Sequence, residues 1–223
     1  MRNIKLKISE QFLSLQGESS FAGELCYFIR LTGCNLNCSY CDTHFAKSAD
    51  AKFAECSIDD LLTATLQSKA NVVEITGGEP LLQENVLILC EKLLASGLTV
   101  LMETNGSKDI SEIPKGVVII MDCKCPSSGE SKNMLLENLN NISKNVEVKF
   151  VIKDRADYDY AVAKIAEFDL LNKAKCLLFS PVVEDQTFTN ASLLADWIIE
   201  DKLNVKLQLQ LHKILWDPNE RGR

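Results

Sequence analysis

Three cysteines stand within eight residues, at positions 34, 38 and 41 of the stretch RLTGCNLNCSYCDTHFA. Thiolates spaced C-x3-C-x2-C lie on one loop, where each can bind a different iron of a single cluster. A [4Fe–4S] cube held by Cys34, Cys38 and Cys41 alone keeps one iron without a protein ligand. That iron can take a small molecule through nitrogen and oxygen, and the cluster can then pass it one electron. Two other arrangements use the same residues. His44 would complete a Cys3His set of the kind that holds one zinc ion. Cys123 or Cys125, further along, would complete a four-thiolate electron-transfer cluster.

The loop follows a β-rich run, CYFIRLTG, and six more such runs succeed it: NVVEITGG, LTVLMETNG, GVVIIMDCK, VEVKFVIK, KCLLFSP and VKLQLQLH. Helical spacing separates several of them. SIDDLLTATLQSK opens with Ser57 and Asp60 in capping-box positions. PLLQENVLILCEKLLASG has Pro80 at a plausible first helical turn and Gly97 as a stop. DYDYAVAKIAEF and NASLLADWIIEDK are two further helices, while SKNMLLENLNNISKN is either a short helix or an irregular connection. Strands alternating with helices predict right-handed crossovers and a largely parallel sheet, with ligands bound at the carboxyl ends of the strands. Unusual residues do follow the runs: Thr76 to Pro80, Glu103 to Gly106, Asp122 to Lys124, Ser180 with Pro181, and His212 with Lys213. These five polar ends are expected on one face, forming one site with the cysteine loop.

Composition restricts the possibilities. The chain has 223 residues, enough for one substantial core, and no linker or low-complexity stretch divides it, so a single domain over 1–223 is expected. The net charge of −7 argues against a broad nucleic-acid-binding face. No apolar run approaches the roughly 18 residues of a membrane span, and the start lacks a signal-peptide core, so a cytoplasmic location is expected. Nine cysteines in that compartment do not predict a disulfide framework. Cys26, Cys90 and Cys176 lie in apolar runs and read as small buried hydrophobes, and Cys56 as incidental. No G-x-G-x-x-G follows a strand and no Walker loop is present.

The cysteine spacing, with Tyr40 just before the last thiol, resembles the signature of the radical S-adenosylmethionine superfamily. Its members chelate the open iron with the amino and carboxylate groups of S-adenosylmethionine and cleave it reductively to a 5′-deoxyadenosyl radical. TGGEP resembles the glycine-rich segment that lines the methionine part of that cofactor. The wider set EQFLSLQGESSFAGELCYFIRLTGCNLNCSYCDT, TGGEP, ETNG, DCKCPS, FSP and QLHK closely resembles the 7-carboxy-7-deazaguanine synthase family, from about Glu10 to Trp216.

That resemblance implies an α/β fold, a shortened, incomplete (β/α) barrel of the radical S-adenosylmethionine type, acting as a homodimer in the cytoplasm. It implies a lyase of queuosine and 7-deazapurine biosynthesis that converts 6-carboxy-5,6,7,8-tetrahydropterin into 7-carboxy-7-deazaguanine and ammonia, through hydrogen abstraction at C6, ring contraction and recovery of S-adenosylmethionine. The implied cofactors are the [4Fe–4S] cluster, S-adenosylmethionine and Mg2+, with a flavodoxin or ferredoxin as electron donor and no nucleic-acid or membrane partner. Cys34, Cys38 and Cys41 would hold the cluster. Thr43 would bind Mg2+, with Asp42 orienting its waters. Tyr40, Gly78, Asp122, Cys123, Lys124, Ser180 and Pro181 would hold S-adenosylmethionine. Leu15, Gln16, Gly17, Glu18, Arg30, Thr76, Glu103 and His212 would hold the pterin. The chemistry suits these types: a pterin carboxylate wants a planar cation, and a bidentate guanidinium pair in a dry pocket contributes roughly 1.5–3 kcal/mol.

The chain departs from the family in the cysteines flanking Lys124, expected to be non-ligands, and in Ser19, where QGEG is common. The tail WDPNERGR varies among relatives and is assigned no contact. Two rivals stay open: an activase that takes hydrogen from a glycine of a partner protein, and a non-enzymatic metal-binding module.

Overall fold

The computed structural model describes residues 4–47, 52–184, 187–217 and 220–223. The first three residues of the alternating start, and Pro218 and Asn219 of the tail, lie outside the described residues. The chain opens with two antiparallel strands, β1 (Lys5–Leu15) and β2 (Leu25–Leu31). The cysteine loop follows and ends in one helical turn, α1 (His44–Lys47). β3 (Ala54–Ser57) pairs with β1. Helices and strands then alternate through α2 (Ile58–Ser68), β4 (Val72–Gly77), α3 (Val86–Ala95), β5 (Thr99–Thr104) and β6 (Val118–Asp122). They continue through α4 (Glu137–Asn140), β7 (Val146–Ile152), α5 (Arg155–Glu167), α6 (Leu170–Lys173) and β8 (Cys176–Pro181). A hairpin of β9 (Val183–Glu184) and β10 (Thr187–Phe188) leads to α7 (Ala191–Glu200), β11 (Lys206–Leu207) and a last turn, α8 (His212–Leu215).

The main sheet has nine strands in the order β11-β8-β7-β6-β5-β4-β2-β1-β3. Every pairing from β2 to β11 is parallel, and β1 is antiparallel to both of its neighbours. From β4 to β8 each strand lies beside its successor, the one-way winding of a (β/α) barrel, but the sheet ends at β11 and β3 and stays open. Among the described residues no helix is long and apolar enough to cross a membrane.

Side chains alternate across a strand. One face turns Ile29, Leu31, Val73, Ile75, Val100, Met102, Ile119, Met121, Val148 and Phe150 into the main core under the helices. α2 covers it with Ile58 and Leu61 and starts where predicted, Ser57 Oγ accepting from the Asp60 amide at 3.1 Å. α5 is capped by Asp154, which accepts from the Asp157 amide at 3.0 Å, and buries Tyr158, Ala161 and Ile165. The opposite face carries a small cluster of Cys26, Phe28, Val72, Leu101 and Ile120, closed by Phe12 stacked on Phe28 at 4.9 Å. That cluster is the floor of the site.

Several elements differ from expectation, β3 and the β9–β10 hairpin lying outside the β-rich runs named above. β1 lies outside those runs as well, and its alternating Lys5-Leu6-Lys7-Ile8 buries Leu6 and Ile8. Pro80 does not open the long helix. It starts a separate 3-10 turn capped by Glu79, whose carboxylate accepts from the Leu81 amide at 3.0 Å, and α3 begins only at Val86. The final run VKLQLQLH is a strand for two residues only; the Gln208 backbone amide still bonds the Phe179 carbonyl at 2.8 Å, and the side chains of Gln208 and Gln210 bond Glu18.

Candidate active site

On the inner face, the residues toward the carboxyl ends of the strands become polar. Arg30 on β2, Glu74 and Thr76 on β4, Glu103 on β5, Asp122 on β6 and Lys149 on β7 line one cavity with the cysteine loop. Lys149 is its electrostatic centre. Its ammonium lies 2.9 Å from Glu18 and 3.8 Å from Asp122, and bonds Glu103. Burial disfavours that charge, but Glu103, Glu18 and Asp122 raise its pKa well above the usual lysine value. Burial likewise works against a charged Glu18, yet Lys149, His212 and Gln210 hold its pKa below the usual range. Glu74 is the exception. It is buried, bonded by the Gln16 amide, and pushed up to about 8 by burial and by the charges of Glu103 and Glu18. Its carboxyl therefore holds its proton more tightly than an exposed glutamate does. Neither Lys149 nor Glu74 was singled out from sequence; a charged residue inside an apolar β run is the signal that marks both.

The cysteine loop is held from two sides. The Ser39 amide and hydroxyl bond the Ser128 and Ser127 carbonyls at 3.0 and 2.8 Å, and Glu130 accepts from the Asn37 amide at 2.7 Å. From the other side the Glu79 amide donates to the Gly33 carbonyl at 2.8 Å. Gly78 packs so closely here that a Cβ would stand 2.2 Å from that carbonyl oxygen and 2.7 Å from Cys34 Cβ. Glu79 is fully buried and ties TGGEP to ETNG, accepting from the Asn105 amide at 2.7 Å and the Thr104 hydroxyl at 3.0 Å. Asn105 then points its amide toward Cys34 Sγ at 3.7 Å.

Cys34, Cys38 and Cys41 are each partly exposed and all line the cavity, whereas His44 is exposed on α1 away from it. Two buried polar atoms there, Tyr40 Oη and Asp122 Oδ1, have no partner in the described structure. Such atoms are costly unless a ligand satisfies them. Burial and Asp122 push the Tyr40 phenol up, so it stays a donor. Three thiols, a backbone cradle at Gly78 and unpaired donor and acceptor groups fit an iron–sulfur cluster carrying a polar cofactor.

On the other wall, Gly17 meets His212 so closely that a Cβ would stand 2.3 Å from Nδ1. His212 thus reaches the cavity from the first turn of α8 rather than from a strand end, and burial lowers its pKa. Ser19 adopts φ 63°, the left-handed region glycine prefers, held by its amide to Gln208 at 2.6 Å. Arg30 is anchored by Glu10 at 2.8 Å. The Thr43 hydroxyl donates to Asp42 at 3.0 Å, and Lys213 bonds the other Asp42 oxygen at 2.6 Å. Asp42 is exposed, and Lys213 with the Thr43 hydroxyl keeps its pKa below the usual carboxylate range.

Leu15, Gln16, Gly17, Glu18, Arg30, Tyr40, Thr43, Thr76, Gly78, Glu103, Asp122, Lys124, Ser180, Pro181 and His212 all line this cavity. Cys123, expected among the S-adenosylmethionine contacts, does not. The strand period sends Asp122 and Lys124 to the cavity and turns Cys123 into the core, fully buried beside Cys125. The tail is also corrected: Arg221 bonds Glu10 at 3.0 Å, and Arg223 lines the cavity.

An open, one-way-wound sheet with three thiols at its carboxyl ends defines a radical S-adenosylmethionine domain, and the model of the radical SAM superfamily matches residues 28–118. Proteins named 7-carboxy-7-deazaguanine synthase align over nearly the whole chain. That of Koribacter versatilis is 42% identical over 97% of this chain and 100% of its own length, and that of Chlorobaculum tepidum is 40% identical over 97% of both. The crystal structure of QueE from Escherichia coli superposes with a TM-score of 0.72 at 24% identity, over 93% of this chain and 95% of that one, and so shares the fold. The chain belongs to the 7-carboxy-7-deazaguanine synthase family, whose radical chemistry implies a [4Fe–4S] cluster and S-adenosylmethionine.

Proposed function

We propose that the chain converts 6-carboxy-5,6,7,8-tetrahydropterin into 7-carboxy-7-deazaguanine and ammonia. The observation that carries this reading is one cavity in which a three-thiol loop faces an anchored arginine and a wall of mixed donors and acceptors. Cys34, Cys38 and Cys41 hold the cluster. Tyr40, Gly78, Asp122, Lys124, Ser180 and Pro181 hold S-adenosylmethionine, with the Asp122 carboxylate accepting from it. The chemistry these cofactors supply when bound is a one-electron reductive cleavage.

Arg30 binds the pterin carboxylate with its Nη edge while Glu10 keeps Nε, so the fork faces the ligand in one orientation. Gln16 offers its carboxamide to the amide and amino edge of the pterin. That group is oriented at both ends, its oxygen by the Glu18 amide at 3.0 Å and its nitrogen by Glu74. Thr76, bonded to Glu103 at 3.1 Å, and His212 complete the substrate wall with Leu15, Gly17 and Glu18. Thr43 would bind Mg2+: its hydroxyl donates to Asp42, which leaves the oxygen's lone pairs for an ion, and Asp42 would orient the ion's waters. The surrounding side chains exclude water and fix the reacting ring. We place the protein in the cytoplasm as a single-domain homodimer, reduced by a flavodoxin or ferredoxin. A glycyl-radical activase would need none of this substrate wall.

The test is anaerobic. Protein reconstituted with iron and sulfide is reduced and given S-adenosylmethionine, Mg2+ and 6-carboxytetrahydropterin, and products are followed by mass spectrometry. The expected result is 7-carboxy-7-deazaguanine with S-adenosylmethionine largely unspent. Release of 5′-deoxyadenosine without that product would favour the activase, and no cleavage by a formed cluster would refute both.

A further inference from the structure

Arg30 and Glu10 pose an electrostatic problem. Glu10 Oε1 accepts from Arg30 Nε at 2.8 Å, and the two side chains are 14% and 19% exposed, for Glu10 and Arg30 respectively. One guanidinium paired with one carboxylate carries no net charge, and such a pair attracts an anion weakly. A third residue changes the sum. Arg221, from the last described segment, places Nη2 3.0 Å and Nε 3.2 Å from Glu10 Oε2, the carboxylate oxygen that Arg30 does not use. Two cations then share one anion. The Arg221 guanidinium also lies 4.0 Å from the centre of the Phe45 ring, on the helical turn just beyond the cysteine loop. The segment therefore spans from β1 to α1 across the wall that carries Arg30, and two residues later Arg223 lines the same cavity.

We infer that Glu10 and Arg221 are positioning residues for Arg30: Glu10 fixes the direction of its guanidinium, and Arg221, stacked on Phe45, gives the Arg30–Glu10 pair a local net positive charge for an anionic substrate group. The inference rests on the reading of Arg30 as the residue that binds the substrate carboxylate. It follows from where the charges lie. Glu10 uses one oxygen per arginine, so each holds the carboxylate in the plane the other needs. An Arg30 already held at Nε also loses less side-chain freedom when a ligand arrives.

The test measures KM for 6-carboxytetrahydropterin and kcat in the reconstituted enzyme, at low and high ionic strength. Arg221→Ala is expected to raise KM about three- to tenfold with kcat unchanged, a modest effect because Arg221 is about half exposed. The rise should shrink at high salt, which screens an exposed charge but not a packing defect. Arg221→Lys should recover part of the loss, since an ammonium reaches the carboxylate without the planar stack. In an Arg30→Ala background, Arg221→Ala should add nothing further. An unchanged KM in Arg221→Ala, or a salt-independent fall in kcat, overturns the positioning role while a raised KM in Arg30→Ala leaves the carboxylate reading standing. An unchanged KM in Arg30→Ala overturns both.

Discussion

Lys149→Met tests the electrostatic centre of the site. The substitution keeps an unbranched apolar stem and removes the one ammonium that serves Glu18, Glu103 and Asp122 together. The lysine side chain is 5% exposed, so water does not replace it. Breaking a buried pair from one side costs about 3–5 kcal/mol, and the lower end applies here because carboxyls can escape by protonating. About 3 kcal/mol lowers the melting temperature by roughly 6–12 °C in a chain of this size. The pH dependence is more discriminating than the size. In the wild type the Glu18 pKa is lowered, so its contribution is present above the unfolded value of 4.5 and lost as pH falls through the folded one. Without Lys149, burial dominates and the Glu18 pKa rises, so stability falls as pH climbs above 4.5. Lys149 itself has a raised pKa, so its contribution is complete below the unfolded 10.5 and constant across the neutral range. Urea unfolding of the cofactor-free protein at about pH 5 and about pH 8 should therefore show a gap between wild type and variant that widens with pH. Equal losses at both values, or a loss below about 1 kcal/mol at each, would refute the picture of Lys149 as a shared buried counter-ion.

Glu74→Gln tests the raised pKa of that carboxyl. A folded pKa of about 8 against 4.5 unfolded means stability that is full below 4.5 and lost as pH rises toward 8, at about 1.4 kcal/mol per unit of difference in the limit. The wild type should lose stability relative to Glu74→Gln over that range in urea titrations; parallel curves would mean Glu74 is charged. Gly78→Ala drives a Cβ against the Gly33 carbonyl, a backbone atom that cannot swing aside. It should cost about 1–3 kcal/mol and displace the cysteine loop, which is read as iron and sulfide bound per chain after reconstitution. Full cluster content in a folded Gly78→Ala protein would show that the close approach is dispensable.

Much of the site was legible because it is local. Cys34, Cys38 and Cys41 lie on one loop whatever the fold, and polar residues after β-rich runs gather at the carboxyl ends once the sheet is parallel. The alternation of side chains along VVIIMDCK also separates Cys123 from Asp122 and Lys124. The two-residue β11 was harder, since QLQL alternates as a strand does. Past it, the side chains of Gln210 and Gln208 reach Glu18 at 2.7 and 3.1 Å, contacts across about 190 residues that no local pattern shows.

The sequence alone determined the cluster loop, the alternation of β4 to β8 with helices, and four of the five polar strand ends, because these depend on spacing along the chain. Only the tertiary structure decided the charge state of the site. Lys149 meets Glu18 across 131 residues and Arg221 meets Glu10 across 211, and whether a buried carboxylate stays charged depends on which cation the fold brings within a few ångströms.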